Sequence, residues 1–174
     1  MINVKHQIPE HDEYFMGIAI AARKRANCMG SRVGAAIVMK GRILTTGYNG
    51  TAEGTPNCLD GGCYRCAHRE KFDSGTAYDL CICVHAEQNA IISAARFGVA
   101  IEGSTLYTTS RPCFGCTKEI LQAKIVEVVY MHEWGPKTDY VPEYRKLQGA
   151  FQSLRCIKME DPESEWAISK SGSK

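Results

Sequence analysis

No stretch of this 174-residue sequence approaches the ~18 consecutive apolar residues that a membrane-spanning helix needs. Residues 1–13 carry His6, Pro9 and several charges, without the apolar run of a secretory signal, so the expectation is a cytoplasmic protein with no membrane partner. An excess of one charge is also missing. Twenty-one basic residues against 19 acidic ones leave a net +2, well interspersed, and no run reads as the footprint of a nucleic-acid partner. Internal repeats are absent, and the polar end, 169–174, reads as a flexible tail. The length is that of one domain, placed at 1–168, with ordinary globular proportions of 44% hydrophobic and 23% charged residues.

Cysteine, by contrast, is plentiful. There are nine, an odd number, in a chain without a secretory signal. That pattern argues for metal ligands or thiolates over a disulfide framework.

Periodicity gives the frame around them. Tyr14, Phe15, Ile18, Ala19 and Ala22 recur at helical spacing over 11–26, ending on Arg23-Lys24-Arg25, where cations complement the helix dipole. Val33 to Met39 and Arg42 to Tyr48 read as a β-hairpin turning at Lys40-Gly41, and Gly47 and Gly50 bend the backbone around Asn49. Residues 51–83 form a cysteine-rich insertion without sustained periodicity, a length that is uncommon unless something functional ties it down. Beyond it, a helix from about His85 to a cap at Gly98, a strand at 104–109, a helix at 113–124 and a strand at 126–131 alternate. A helix over 142–151 and a strand over 154–159 complete the order. Such alternation implies an α/β fold, a mixed sheet with helices on both faces, and convergence of the two metal-bearing helix starts at one sheet edge.

Two motifs carry chemistry. His85-Ala86-Glu87 opens one helix, and Pro112-Cys113-Phe114-Gly115-Cys116 opens another. Cys113 and Cys116 fall on one helical face in a first turn, where free N–H groups favour thiolates, the form zinc binds. With neutral His85 they supply three ligands and leave a fourth position for water, the layout of a catalytic zinc site. Water on such an ion loses its proton near pH ~7. Glu87 is then placed to take that proton and deliver it to a substrate nitrogen. Cys-x-x-Cys alone is more often structural zinc or a redox pair. The conjunction with His-x-Glu is the pattern of zinc deaminases acting on nucleobases.

On these residues the sequence resembles the cytidine deaminase superfamily, and within it the deoxycytidylate (dCMP) deaminases. The resemblance spans about Tyr14 to Met131 and rests on Cys28 to Ala35, Gly47-Tyr48-Asn49-Gly50, Val84 to Ile91 and Pro112 to Cys116. It implies a three-layer fold about a five-stranded mixed sheet, and hydrolytic deamination of dCMP to dUMP and ammonia, supplying dUMP for thymidylate synthesis. It implies catalytic zinc on His85, Cys113 and Cys116, Glu87 as proton shuttle, and Asn49 and Ala86 in the substrate site. Arg32 matches a basic position of the family and is the candidate phosphate contact, with a surface arginine as the structural alternative. Arg96 is the candidate for a regulatory nucleotide or a subunit contact. The family further implies dCTP and dTTP as effectors, Mg2+ accompanying an allosteric nucleotide, and a homo-oligomer, commonly a hexamer. In one departure, this chain has Trp134 where the family often carries a tyrosine.

The remaining cysteines suggest a second, structural zinc holding an insertion that buries little apolar surface. Resemblance to phage dCMP deaminases points to Cys28, Cys58 and Cys83. Cys66 is preferred as the fourth ligand, with Cys63, Cys81 and His68 left as alternatives. Two further function classes stand beside the leading one: a deaminase of another cytosine or purine compound, and a zinc-stabilised nucleic-acid-binding module. The near-neutral charge and the presence of Glu87 weigh against the module.

Overall fold

A computed structural model of the chain describes residues 7–73, 75–136 and 139–168. The expected tail at 169–174 and the first six residues of the N-terminal segment lie outside them. The first helix, α1 (His11–Arg23), opens on a reciprocal capping box between Glu10 and Glu13 and ends on Arg23. Its buried stripe is Phe15, Met16, Ala19, Ile20 and Arg23. That corrects the face expected from periodicity, because Tyr14 is exposed and Arg23 is drawn inward by acidic partners.

Strands β1 (Gly34–Met39) and β2 (Arg42–Tyr48) form the expected hairpin. Lys40 and Gly41 both have positive φ, 49° and 71°, as a two-residue turn matched to strand twist requires. A short β3 (Gly50–Thr51) follows. The insertion then folds as single turns around 58–60, 64–67 and 69–71, the middle one being α2 (Tyr64–Ala67), and returns through β4 (Cys83–Val84), antiparallel to β3. These local turns replace the aperiodic stretch read from sequence. They are too short to show a hydrophobic period.

The rest alternates: α3 (Ala86–Phe97), β5 (Thr105–Ser110), α4 (Phe114–Gln122), β6 (Glu127–His132), α5 (Val141–Gln148), β7 (Ser153–Cys156) and α6 (Ser164–Ala167). Five strands make one mixed sheet in the order β2-β1-β5-β6-β7, with β1 antiparallel to both neighbours and β5, β6 and β7 parallel. Successive residues of a strand face opposite sides, so β1 divides its apolar set. Ala35 and Ile37 join Leu106, Val128, Ala90 and Ile120 beneath α3 and α4, while Ala36 and Val38 join Tyr107, Val129, Phe15 and Met16 beneath α1. The result is the expected three-layer α/β arrangement. Gly47 allows α3 to lie directly on β2, since a Cβ there would collide with the Ala86 carbonyl.

The far end of the chain is tied to α1 by charge. Arg23, wholly buried, donates to Asp161 Oδ1 at 2.6 Å and Oδ2 at 2.8 Å, and His132 Nε2 lies 2.7 Å from the same carboxylate. Burial alone would raise the Asp161 pKa, but the hydrogen bonds from Arg23 and His132 hold it below the usual carboxylate range. Its contribution to stability is therefore complete above the unfolded value of ~3.9 and is lost as pH falls through the lower folded value. Asp161→Asn leaves buried Arg23 with only its longer ion pair, to Glu163 at 3.2 Å. It should lower folding stability by about 3 kcal/mol, read as a fall in Tm and in the denaturant midpoint at neutral pH.

Candidate active site

Helices α3 and α4 both begin at the edge of the sheet that faces the insertion, and each is started by a ligand-type residue. His85 is the extended N-cap of α3, with its N–H donated to the Gln88 side-chain oxygen at 2.8 Å. Cys113 is the N-cap of α4, and its sulfur accepts the Cys116 N–H at 3.5 Å. Pro112 sits just ahead, its carbonyl accepting from Tyr144 Oη at 2.8 Å and Gln148 Nε2 at 3.2 Å, so α5 buttresses the turn.

These starts converge. His85 Nδ1 lies 3.4 Å from Cys113 Sγ and 3.3 Å from Cys116 Sγ, and the three atoms are mutually within 4.8 Å. Two thiols and an imidazole form a donor set suited to zinc, and the spacing fits one ion with a position to spare. Hydrogen bonding from Cys116 and the nearby His85 lower the Cys113 pKa to about 4, while the same contact and burial push Cys116 up. For His85, burial works downward but the hydrogen bond and charge of Cys113 prevail, raising its pKa to about 9.

Glu87 is the second residue of α3, in its first turn, and is almost entirely buried. Its Oε2 accepts from Cys116 Sγ at 3.6 Å, and its Oε1 accepts from Thr108 Oγ1 at 3.4 Å. Burial raises its pKa, partly opposed by His85. Thr108 was missed in the sequence. No local signal set it apart, because β5 also carries Thr105, Thr109 and Ser110.

The group opens into a cleft of about 920 Å³ lined by Arg32, Asn49, Ala86, Glu87, Arg111 and Trp134, among others. The Asn49 amide is engaged within the wall, accepting the Val33 N–H at 2.7 Å and donating to the Ser31 carbonyl at 2.8 Å. Arg32 reaches the C-terminal segment, where Nη1 donates to the Trp166 carbonyl at 2.7 Å and the guanidinium lies 5.3 Å from the Trp166 ring centroid. Arg96 is remote from the cleft, exposed and paired with Glu53 at 3.2 Å. Sequence reading also passed over Arg111, which is buried against Tyr130 and Gln148 and bridges to Glu133 at 2.9 Å. Its position immediately before Pro112 was the only hint. Tyr78 of the insertion packs edge-on to the His85 ring, with centroids 5.5 Å apart.

A second cluster adjoins the first. Cys28, Cys58, Cys66 and Cys83 bring their sulfurs within 4.8 Å of one another, and so do Cys63, Cys66, Cys81 and Cys83. His68 belongs to neither group, and its Nδ1 lies 2.9 Å from the Tyr64 carbonyl.

A family model described as "Cytidine and deoxycytidylate deaminase zinc-binding region" matches residues 9–132. The chain belongs to that family. Among similar deaminases, the deoxycytidylate deaminase of Schizosaccharomyces pombe is 43% identical over 130 residues, covering 75% of this chain and 39% of its own length. The deoxycytidylate deaminase of Mycobacterium phage D29 is 39% identical over 133 residues, covering 72% of this chain and 97% of its own. The chain thus spans about two fifths of the yeast relative but nearly all of the phage one. Among solved structures, the dCMP deaminase of cyanophage S-TIM5, in complex with dCMP and dUMP, matches with a TM-score of 0.65 at 31% identity. That match covers 87% of this chain and 100% of the cyanophage one. Zinc is therefore the ion this deaminase fold takes, and the His–Cys–Cys group is the chemistry in this chain that suits it. Cys116→Ser removes one soft donor. It should release zinc from the purified protein on dialysis, one ion fewer per chain than wild type by elemental analysis, with far-ultraviolet circular dichroism unchanged.

Proposed function

We propose that the protein is a zinc-dependent dCMP deaminase, converting dCMP and water to dUMP and ammonia. The observation that carries this reading is Glu87, a carboxylate buried at the floor of the cleft, 3.6 Å from one thiol of the His–Cys–Cys group. His85, Cys113 and Cys116 would hold the zinc. When bound, the ion makes water a nucleophile at neutral pH. Glu87 takes a proton from the water that adds at C4 of the pyrimidine and delivers it first to N3. It then carries a second proton, from the hydroxyl now on C4, to the exocyclic amine, so that the C4 carbonyl forms, the C4–N bond breaks and ammonia departs. The Thr108 hydroxyl holds Oε1, and Oε2 is the oxygen turned toward the His–Cys–Cys group, 3.6 Å from Cys116 Sγ. The backbone at Ala86 and the wall shaped by Asn49 line the space for base and sugar. Arg32 is the phosphate contact, for which it must exchange its hold on the Trp166 carbonyl.

Likeness to relatives named for deoxycytidylate supports the substrate, the phage relative and the cyanophage structure above all, because their lengths are covered nearly in full. We extend the reading to a second zinc on Cys28, Cys58, Cys66 and Cys83, supported by their mutual approach. A homo-oligomer, a hexamer by family likeness, is supported by Ile92 and Phe97, exposed on α3 beside Arg96. Arg96, exposed on α3, is the contact for a dCTP or dTTP effector, for which it must release Glu53; the effector would bring Mg2+ with its phosphates. dUMP supply for thymidylate synthesis follows from the product. Nine unpaired cysteines suit the reducing cytoplasm, and among the described residues no helix is long and apolar enough to cross a membrane.

Glu87→Gln keeps the shape and removes the proton carrier. It should retain zinc and fold normally while ammonia release from dCMP falls by about 10³-fold or more. Turnover near wild type in that variant would sink the mechanism. Incubation with dCMP, deoxycytidine and CMP tests the substrate, and preference for deoxycytidine over dCMP would redirect it to the nucleoside.

A further inference from the structure

The insertion has a core made of sulfur. Its buried cluster consists of Cys28, Cys58, Cys63, Cys66 and Cys83, with Cys81 packed against it. Aliphatic side chains that would ordinarily hold such a segment are turned outward: Leu59, Leu80 and Ile82 are all exposed. Five thiols bury too little apolar surface to offset the entropy of ordering some thirty residues built from single turns. A stronger interaction has to hold them.

We infer that these six cysteines form a two-metal thiolate cluster in which Cys66 and Cys83 bridge a pair of zinc ions. The inference rests on the reading that thiols of the insertion bind metal, and it raises their number of ions from one to two. The two four-sulfur groups share exactly two members, Cys66 and Cys83. Cys28 and Cys58 complete one set, and Cys63 and Cys81 complete the other. Two tetrahedra sharing an edge require six ligands divided in this way. The spacing agrees as well. With Zn–S bonds of ~2.3 Å, the edge of a sulfur tetrahedron is about 3.8 Å. The sulfur separations are 3.8 Å for Cys28–Cys66, 3.7 Å for Cys63–Cys81, 3.9 Å for Cys66–Cys81 and 4.0 Å for Cys66–Cys83. All are far from the ~2.05 Å of a disulfide.

Chemistry separates the two-ion cluster from a single ion. One zinc on the first set leaves Cys63, which is fully buried, and Cys81 as idle thiols beside a thiolate-bound metal. The second ion gives both a function and fixes the two ends of the 63–81 excursion to each other. Six thiolates and two divalent cations leave a charge of two minus. Backbone N–H groups of Met29 and Gly30 donate to Cys58 and Cys28 sulfurs, both at 3.3 Å, and stabilise that charge. Metal uptake is stoichiometric proton exchange. Six S–H bonds break, six protons leave to solvent, and no oxidant is needed.

The test is a metal count on the full chain purified from zinc-replete cells and dialysed against metal-free buffer. Three zinc ions per chain are expected, two in the cluster and one on His85, Cys113 and Cys116. The Cys63→Ser/Cys81→Ser double variant should fall to two, and Cys116→Ser should also fall to two through the other site. After exchange with a spin-half cadmium isotope, two cluster resonances should show scalar coupling to each other, which only a shared thiolate transmits. Two zinc ions in the wild type without that coupling would overturn the bridged pair, and iron in place of zinc would overturn it equally. One zinc with normal dCMP turnover would remove metal from the insertion while leaving the deaminase intact. Three zinc ions with that coupling but no turnover would uphold the cluster and sink the deaminase, and three without it would overturn the bridge.

Discussion

The approach of an imidazole to two thiols at 3.3–3.4 Å is the constraint on which the rest of the structure depends. It can exist only if two helices start at the same place, and the sheet order supplies that. β1 and β5 are adjacent, so the helix packed over β2 and β1 and the helix that follows β5 open side by side. Gly47 sets how closely α3 lies on the hairpin, and the Pro112 carbonyl, held from α5, sets where α4 begins. A helix start is also where free N–H groups favour an anion, so thiolate formation at Cys113 and the geometry of the turn reinforce each other.

Charge is partitioned across the sheet. On the α3 and α4 face the buried carboxylate is Glu87, with the thiols around it. On the opposite face Arg23 and Asp161 form a buried pair that joins the first helix to the last segment, and His132 contacts that pair from the end of β6 while also bordering the cleft. The stabilising network and the chemical one therefore meet at β6. Arg111, with Tyr130 and Glu133, is the other junction, and it too lies at the exit of a central strand.

Much of this was legible in the sequence because the signals were local. The His-x-Glu and Pro-Cys-x-x-Cys motifs name the residues that converge, and the hairpin turn follows from Lys40-Gly41 in a β-rich context. The face of α1 was misjudged because Arg23 counts as polar in any periodicity, whereas its partners come from more than a hundred residues away. Thr108 and Arg111 were invisible for a related reason. A hydroxyl in a strand and an arginine before a proline acquire meaning only from the register that sets them beside Glu87 and Glu133. The turns of the insertion lacked any period to detect, since sulfur contacts rather than an apolar stripe organise them.

The two-residue ribbon of β3 and β4 pairs Gly50 with Val84 and Thr51 with Cys83, directly after Asn49 and directly before His85. Everything between is an excursion whose two ends are stitched together at its neck. Closing a longer loop at a fixed neck costs little more than closing a shorter one, because the entropy grows only with the logarithm of length. Relatives can therefore be expected to differ in the size of this segment while Asn49 and His85 keep their separation. For protein engineering, an exposed turn such as the one at Gly54 is a natural port for an inserted peptide, since it lies outside the stitched neck and away from the sulfur core.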